Sequence, residues 1–418
     1  MKYLCKNLGS YKLHMIKNDN FKQTIVRVVF RGPIKKEEIT IRNFLSAMLT
    51  YSSYDYNTRR KMLLKTEELY SAGIYADSRR LGNEYETSFE LLSLDDKYTE
   101  DGNFEESLKF FSNMILKPNV NDNKFDSKSF NIIMNKAALY LSSKKEDKDS
   151  YSIERLYEIM GDKTPISFSD GYIEDLKLIT RESLYKYYKD FISKSDTSIY
   201  VIGSFEFEDI DPLIRKYFRP KKYKKRYNDF IIEHSRRRLR KLKVTEEDKV
   251  MQSKLCVGLK MFNMTKEEKE YPLILYSIIL GGGSDSKLFK EVREKNSLCY
   301  YIYASPNVFD NTMIINAGIS KRDYDKCVKL INKNLKDMEK GTFSEEDVNK
   351  AVEIYTSSLT NLYESEEGLI NFYSNMDILG TDDIETRKRK IKTVTKSDIV
   401  SVAKKVSVDT IYMLEGVK

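Results

Sequence analysis

The hydrophobic pattern of this chain is used twice. Residues 23–33 (QTIVRVVFRGP) are rich in β-branched and aromatic side chains and read as a strand. Helix-spaced apolar positions follow at 42–50 and 58–70, then a second strand pattern at 74–79. The order returns in the second half, with a strand at 252–262 (QSKLCVGLKMF), helices at 266–280 and 284–295, and an aromatic strand at 298–304 (LCYYIYA). Strands at 85–94 and 312–320 then lead into helices at 104–116 and 324–338, followed by long helices at 127–142 and 345–363.

The closing segments echo each other most directly. Thr180-Arg-Glu-Ser opens a helix that runs into DTSIYVIG at 196–203, and Thr395-Lys-Ser-Asp opens one that runs into DTIYMLEG at 409–416. Each threonine is an expected N-cap, because its hydroxyl can accept an orphan amide of the first turn. Repetition on this scale predicts an α+β protein of two similar domains related by internal duplication, each a mixed or antiparallel sheet covered by helices. We place the domains at 1–218 and 246–418, joined by a basic linker at 219–245.

Composition refines this picture. A chain of 418 residues with 40% hydrophobic content is too long for one ordinary core, which supports two domains. The net charge of +8 comes from 72 Lys and Arg against 64 Asp and Glu, so most positive charge is balanced by interspersed acid and argues against a nucleic-acid partner. The linker is the exception, with Lys221, Lys222, Lys224, Lys225 and Arg226 followed by Arg236, Arg237, Arg238, Arg240, Lys241 and Lys243. It reads first as a solvated connector, with a patch for an acidic partner or nucleic acid as the competing reading, and 230–232 (FII) could dock as an extended piece. No secretory or membrane-spanning run is drawn, and Cys5, Cys256, Cys299 and Cys327 form no C-x-x-C pair. Both features suggest a reducing, cytoplasmic setting.

One segment carries a family likeness. Residues 281–304, GGGSDSKLFKEVREKNSLCYYIYA, strongly resemble the C-terminal homology domain of the insulinase/pitrilysin (inverzincin) peptidases, and the duplicated organisation extends the likeness over nearly the whole chain. Active members carry H-x-x-E-H on a first-domain helix, two zinc ligands and the water-activating carboxylate, with a further glutamate ligand downstream. Here Phe44-Leu-Ser-Ala-Met-Leu49 fits that helix, so Asn43 and Ala47 stand at the histidine positions and Ser46 at the glutamate position. Residues 132–137 (IIMNKA) resemble the helix of the downstream ligand, with Lys136 at its position. The only histidines, His14 and His234, form no H-x-x-x-H pair, so neither a metal nor another cofactor is expected.

The resemblance also assigns an arginine and a tyrosine seven residues apart in the second domain, matched by Arg293 and Tyr300, as donors to a peptide carbonyl while charge develops on it. Gly281, Gly282 and Gly283 would touch the substrate backbone. The plainer readings are that Arg293 pairs with Glu291 or Glu294, and that Tyr300 is one tyrosine of a half-buried strand whose Tyr301 and Tyr303 point to the opposite face. Cys299 is read as packing. Together these residues imply a subunit that is not an enzyme on its own. It would complete the site of a zinc-bearing paralogue in a heterodimer that processes peptides, a homodimer of the isolated chain being compatible with the same surface. The alternative is a peptide-binding or scaffolding module without catalytic contribution.

Overall fold

The computed structural model describes residues 1–161, 170–219 and 230–417, which form two compact units. The first half of the basic linker, including Lys221, Lys222, Lys224, Lys225 and Arg226, lies outside the described residues. Neither unit is one stretch of chain. The first comprises Met1–Ser143, 170–219 and Tyr363–Phe372; the second comprises 144–161, Phe230–Leu362 and 373–417.

In the first unit the strands are β1 (Lys2–Asn7), β2 (Tyr11–Lys17), β3 (Gln23–Pro33), β4 (Gly73–Leu81), β5 (Glu84–Leu94), a small hairpin of β6 (Val120–Asn121) and β7 (Lys124–Phe125), and β8 (Asp196–Gly203). All but the hairpin join one sheet in the order β1-β2-β8-β3-β5-β4, in which only β2 and β8 are parallel. Alternation decides its faces. Val26, Val28 and Phe30 enter a core with Phe44, Met48, Phe111 and Phe191 from the helices Lys36–Tyr51, Asn103–Leu116 and Arg181–Lys194. Their neighbours Arg27 and Arg31 reach carboxylates on β5, with Arg31 Nε 2.7 Å from Glu86. Residues Tyr363–Phe372 dock on this unit through Asn371, which accepts from Arg27 at 2.8 Å, and through the Tyr363 carbonyl, which accepts from Asn18 at 3.0 Å.

The second unit contains β9 (Leu242–Asp248), β10 (Ser253–Met261), β11 (Cys299–Asn307), β12 (Thr312–Ile319) and β13 (Val406–Gly416), in the order β11-β12-β10-β13-β9. Only β13 and β9 are parallel, so the order and strand senses of β4-β5-β3-β8-β2 are repeated. β1 is the addition. The helix Lys148–Met160 packs on β10 and β13, where Leu156 and Met160 bury against Cys256, Ile314, Tyr412 and Leu414. Gly258 makes room for it, since a Cβ there would stand 2.1 Å from the Met160 sulfur. Lys260 Nζ, itself buried, donates to the Met160 carbonyl at 3.2 Å, and Arg155 pairs with Glu246 at 2.7 Å.

Thr180 and Thr395 both cap their helices, accepting from the amides of Ser183 at 3.0 Å and Asp398 at 3.3 Å. Three expectations change. The helix drawn over 266–280 is two, Lys266–Glu270 and Pro272–Gly281, because Tyr271 leaves helical geometry (φ −126°, ψ −74°) and Pro272 suits a first helical position. The helix expected over 284–295 is shorter and has π character over Phe289–Glu294. The described half of the basic segment is anchored at a few points, Phe230 and Ile232 being buried, while Arg236, Arg237, Arg240, Lys241 and Lys243 stay exposed. The Ile232 amide donates to Phe309 O at 2.8 Å, His234 Nε2 lies 2.8 Å from Asp310 O, and Arg238 pairs with Asp409 at 3.2 Å. Strand β9 then begins within that segment, at Leu242.

Candidate functional site

The first-unit site is built on two helices. Asn43 and Ala47 are four residues apart on the helix Lys36–Tyr51, hence on one face, and Lys136 comes from the helix Ser127–Ser143. All three line one cleft of about 280 Å³ with Thr40, Phe44 and Ile133 among its other walls. Ser46 is buried and donates to the Asn43 carbonyl at 2.8 Å.

These groups do not fit a zinc ion. The Asn43 side-chain nitrogen donates to the Tyr85 hydroxyl at 2.9 Å and to the Ile39 carbonyl at 3.2 Å, so it is committed to the protein's own hydrogen bonding. Burial pushes the Tyr85 phenol well above its ordinary range, against the smaller opposing effect of the Asn43 bond. Ala47 offers no donor atom, and an ammonium at Lys136 repels a cation. Among the described residues no group of three or more His, Cys, Asp or Glu side chains could hold a metal.

The second-unit residues are arranged differently. Gly281 ends the helix Pro272–Gly281, and a Cβ there would lie 2.6 Å from the Ala304 amide nitrogen, so the helix end meets β11 only without a side chain. Gly283 adopts φ +152°, which favours glycine. Gly282 and Gly283 line a cleft of about 240 Å³ with Asp285, Asp347, Lys350 and Ile354.

Arg293 lies in the π-helical turn, a geometry enriched at functional sites. Its guanidinium carbon is 4.6 Å from the Phe289 ring centroid and 5.9 Å from that of Tyr300. Among the described residues it makes no ion pair: Glu291, one expected partner, is held by Lys333 at 2.9 Å. Tyr300 is 74% exposed beside an irregularity in the β11–β12 pairing, where Cys299 to Ile302 on β11 faces only Ile319 to Ala317 on β12. Tyr301, within that bulge, stacks on Tyr303 with ring centroids 6.2 Å apart. Burial pushes the Cys299 thiol up to about 11, only partly opposed by Arg293, so it stays protonated at neutral pH.

Sequence reasoning passed over two contributors. Phe289 had a legible signal, since it precedes Arg293 by one helical turn. Tyr85 had none, because only the fold brings it to Asn43.

Comparison with known proteins agrees with this fold. Residues 178–355 match the family model described as "Peptidase M16 inactive domain". The probable inactive metalloprotease YmfF of Bacillus subtilis is 26% identical over 415 residues, covering 98% of this chain and 96% of that protein. A conserved protein from Enterococcus faecalis V583 shares the fold with a TM-score of 0.88 at 24% identity, covering 100% of this chain and 99% of that one. The M16 inactive domain from Pseudomonas fluorescens superimposes with a TM-score of 0.80 at 16% identity, covering 100% of this chain and 99% of that one. In sequence and fold the chain is similar to insulinase/pitrilysin-type (M16) peptidase homologues. Two of these relatives are described as inactive, and among the described residues this chain has no group of three or more His, Cys, Asp or Glu side chains that could hold a metal.

Proposed function

We propose that this chain is the non-catalytic subunit of a zinc peptidase heterodimer, presenting Arg293 and Tyr300 to the site of an active partner that processes peptides. The observation that carries the reading is the exposed pair itself. An arginine without an ion pair among the described residues lies across Phe289 and Tyr300, and a tyrosine is placed in solvent beside a bulge. Guanidinium N–H and phenol O–H groups are donors suited to a carbonyl oxygen gaining negative charge, and loss of one such donor costs about 10²–10³ in rate. Neither group has a use in cleavage without a metal-bound water, which this chain's own first unit cannot hold. The substrate would be an extended peptide, and the setting cytosolic, in keeping with free thiols at Cys5, Cys256, Cys299 and Cys327.

The test mixes the purified chain with a zinc-bearing paralogue from the same genome and follows peptide cleavage. Cleavage should require this chain and fall about 10²–10³-fold with Arg293→Ala or Tyr300→Phe while the subunits still associate. If the paralogue cleaves equally well alone, or the variants support full activity, the chain is a peptide-binding or scaffolding module.

A further inference from the structure

The cleft beside Asn43 and Ala47 has stayed open although its metal-site chemistry is gone. Its walls are largely apolar, with Phe44, Ile133 and Leu141 among them, and its volume of about 280 Å³ suits a group no larger than one or two residues. One cation faces it. Lys136 is exposed, makes no ion pair among the described residues, and has its ammonium 5.7 Å from the Tyr51 ring centroid. The acidic wall residue, Asp170, accepts from the Tyr140 hydroxyl at 3.0 Å.

We propose that this cleft binds the C-terminal residue of a peptide, its apolar side chain against Phe44 and Leu141 and its α-carboxylate against the Lys136 ammonium. A single ammonium over an apolar recess does not suit a phosphate, which takes several donors. An internal Asp or Glu brings a carboxylate but no apolar side chain at the same residue. Within a peptide, a chain end carries both at one residue. Lys136 thus supplies, as a fixed positive charge, what a metal would otherwise supply to an anionic oxygen. This inference is independent of the role proposed for Arg293 and Tyr300, because it concerns the first unit and involves no cleavage.

The test is calorimetric titration of the full chain, without any partner, using N-acetyl-Ala-Leu as the free acid and as its C-terminal amide. The acid should bind about 10- to 100-fold more tightly than the amide, the range expected for one charged hydrogen bond. Lys136→Met should bring the acid down to the affinity of the amide, and Lys136→Arg should retain most of the difference. Equal binding of acid and amide, indifference to Lys136→Met, or no binding of either at millimolar concentration would overturn the proposal. Octanoate binding as tightly as the peptide acid would overturn the assignment to a peptide.

Discussion

The two units share a strand order, a parallel pair in the same place and an identical capping device, yet they treat their functional positions in opposite ways. In the first, Asn43 is tied to Tyr85 and Ile39, and Ser46 donates to the Asn43 carbonyl, so these polar groups serve the fold. In the second, Arg293 lies against Phe289 and Tyr300 without an ion pair among the described residues, and Tyr300 is exposed. A position released from chemistry is absorbed into local hydrogen bonding, because a buried polar group without a partner costs about 1–3 kcal/mol. A position left exposed without structural employment is where function is to be sought.

The largest effect should come from cutting the duplication at its apparent boundary. Residues 230–418 produced alone lack the helix Lys148–Met160, leaving Cys256, Ile314, Tyr412 and Leu414 open to water. We expect loss of a cooperative thermal transition and strong binding of a hydrophobic dye, partly reversed by a peptide spanning 144–161. A fragment that melts as sharply as the full chain would show that this helix is dispensable.

The contrast between the sites can be sharpened by a pair of substitutions measured in denaturant. Asn43→Ala should cost about 1–3 kcal/mol by removing the part-buried hydrogen bonds of its side-chain nitrogen to Tyr85 and Ile39, whereas Tyr300→Ala should stay within about 0.5 kcal/mol. Similar losses at both positions would erase the distinction. The smallest effects probe what the units share: Thr180→Ala and Thr395→Ala should each cost about 1 kcal/mol. A markedly unequal pair would mean that one cap is reinforced by surroundings the other lacks.

Much of this was legible in the amino-acid sequence, because hydrophobic period and capping residues act locally. The duplicated strands and both threonine caps follow from such signals, whereas Arg293 and Tyr300 were reached through family likeness. Other features depend on residues far away in the chain. Nothing local to 148–160 announces that this helix covers β10 and β13, and the charges of 236–243 masked both its docking and the start of β9. Lys136 was reached through family likeness, whereas its place in the same cleft as Asn43 and Ala47 comes from helix packing. The π-turn under Arg293 and the bulge at Tyr300 each add one residue to a regular element, a change too small to alter a sequence period.

The exchange of segments between halves also sets a timetable for biogenesis. The first unit includes Tyr363–Phe372, and the second includes 144–161 together with β13 at Val406–Gly416. At ribosomal speeds of about 5–20 residues per second, residue 363 is added roughly 20–70 s after synthesis begins. The strands of the earlier sheet are all made by residue 203, but the segment Tyr363–Phe372 that packs on that unit is not, so the first unit cannot be completed before most of the second has been made. Both units reach completion within the last stretch of translation, and the emerging polypeptide must keep a half-covered sheet from meeting its neighbours in the meantime.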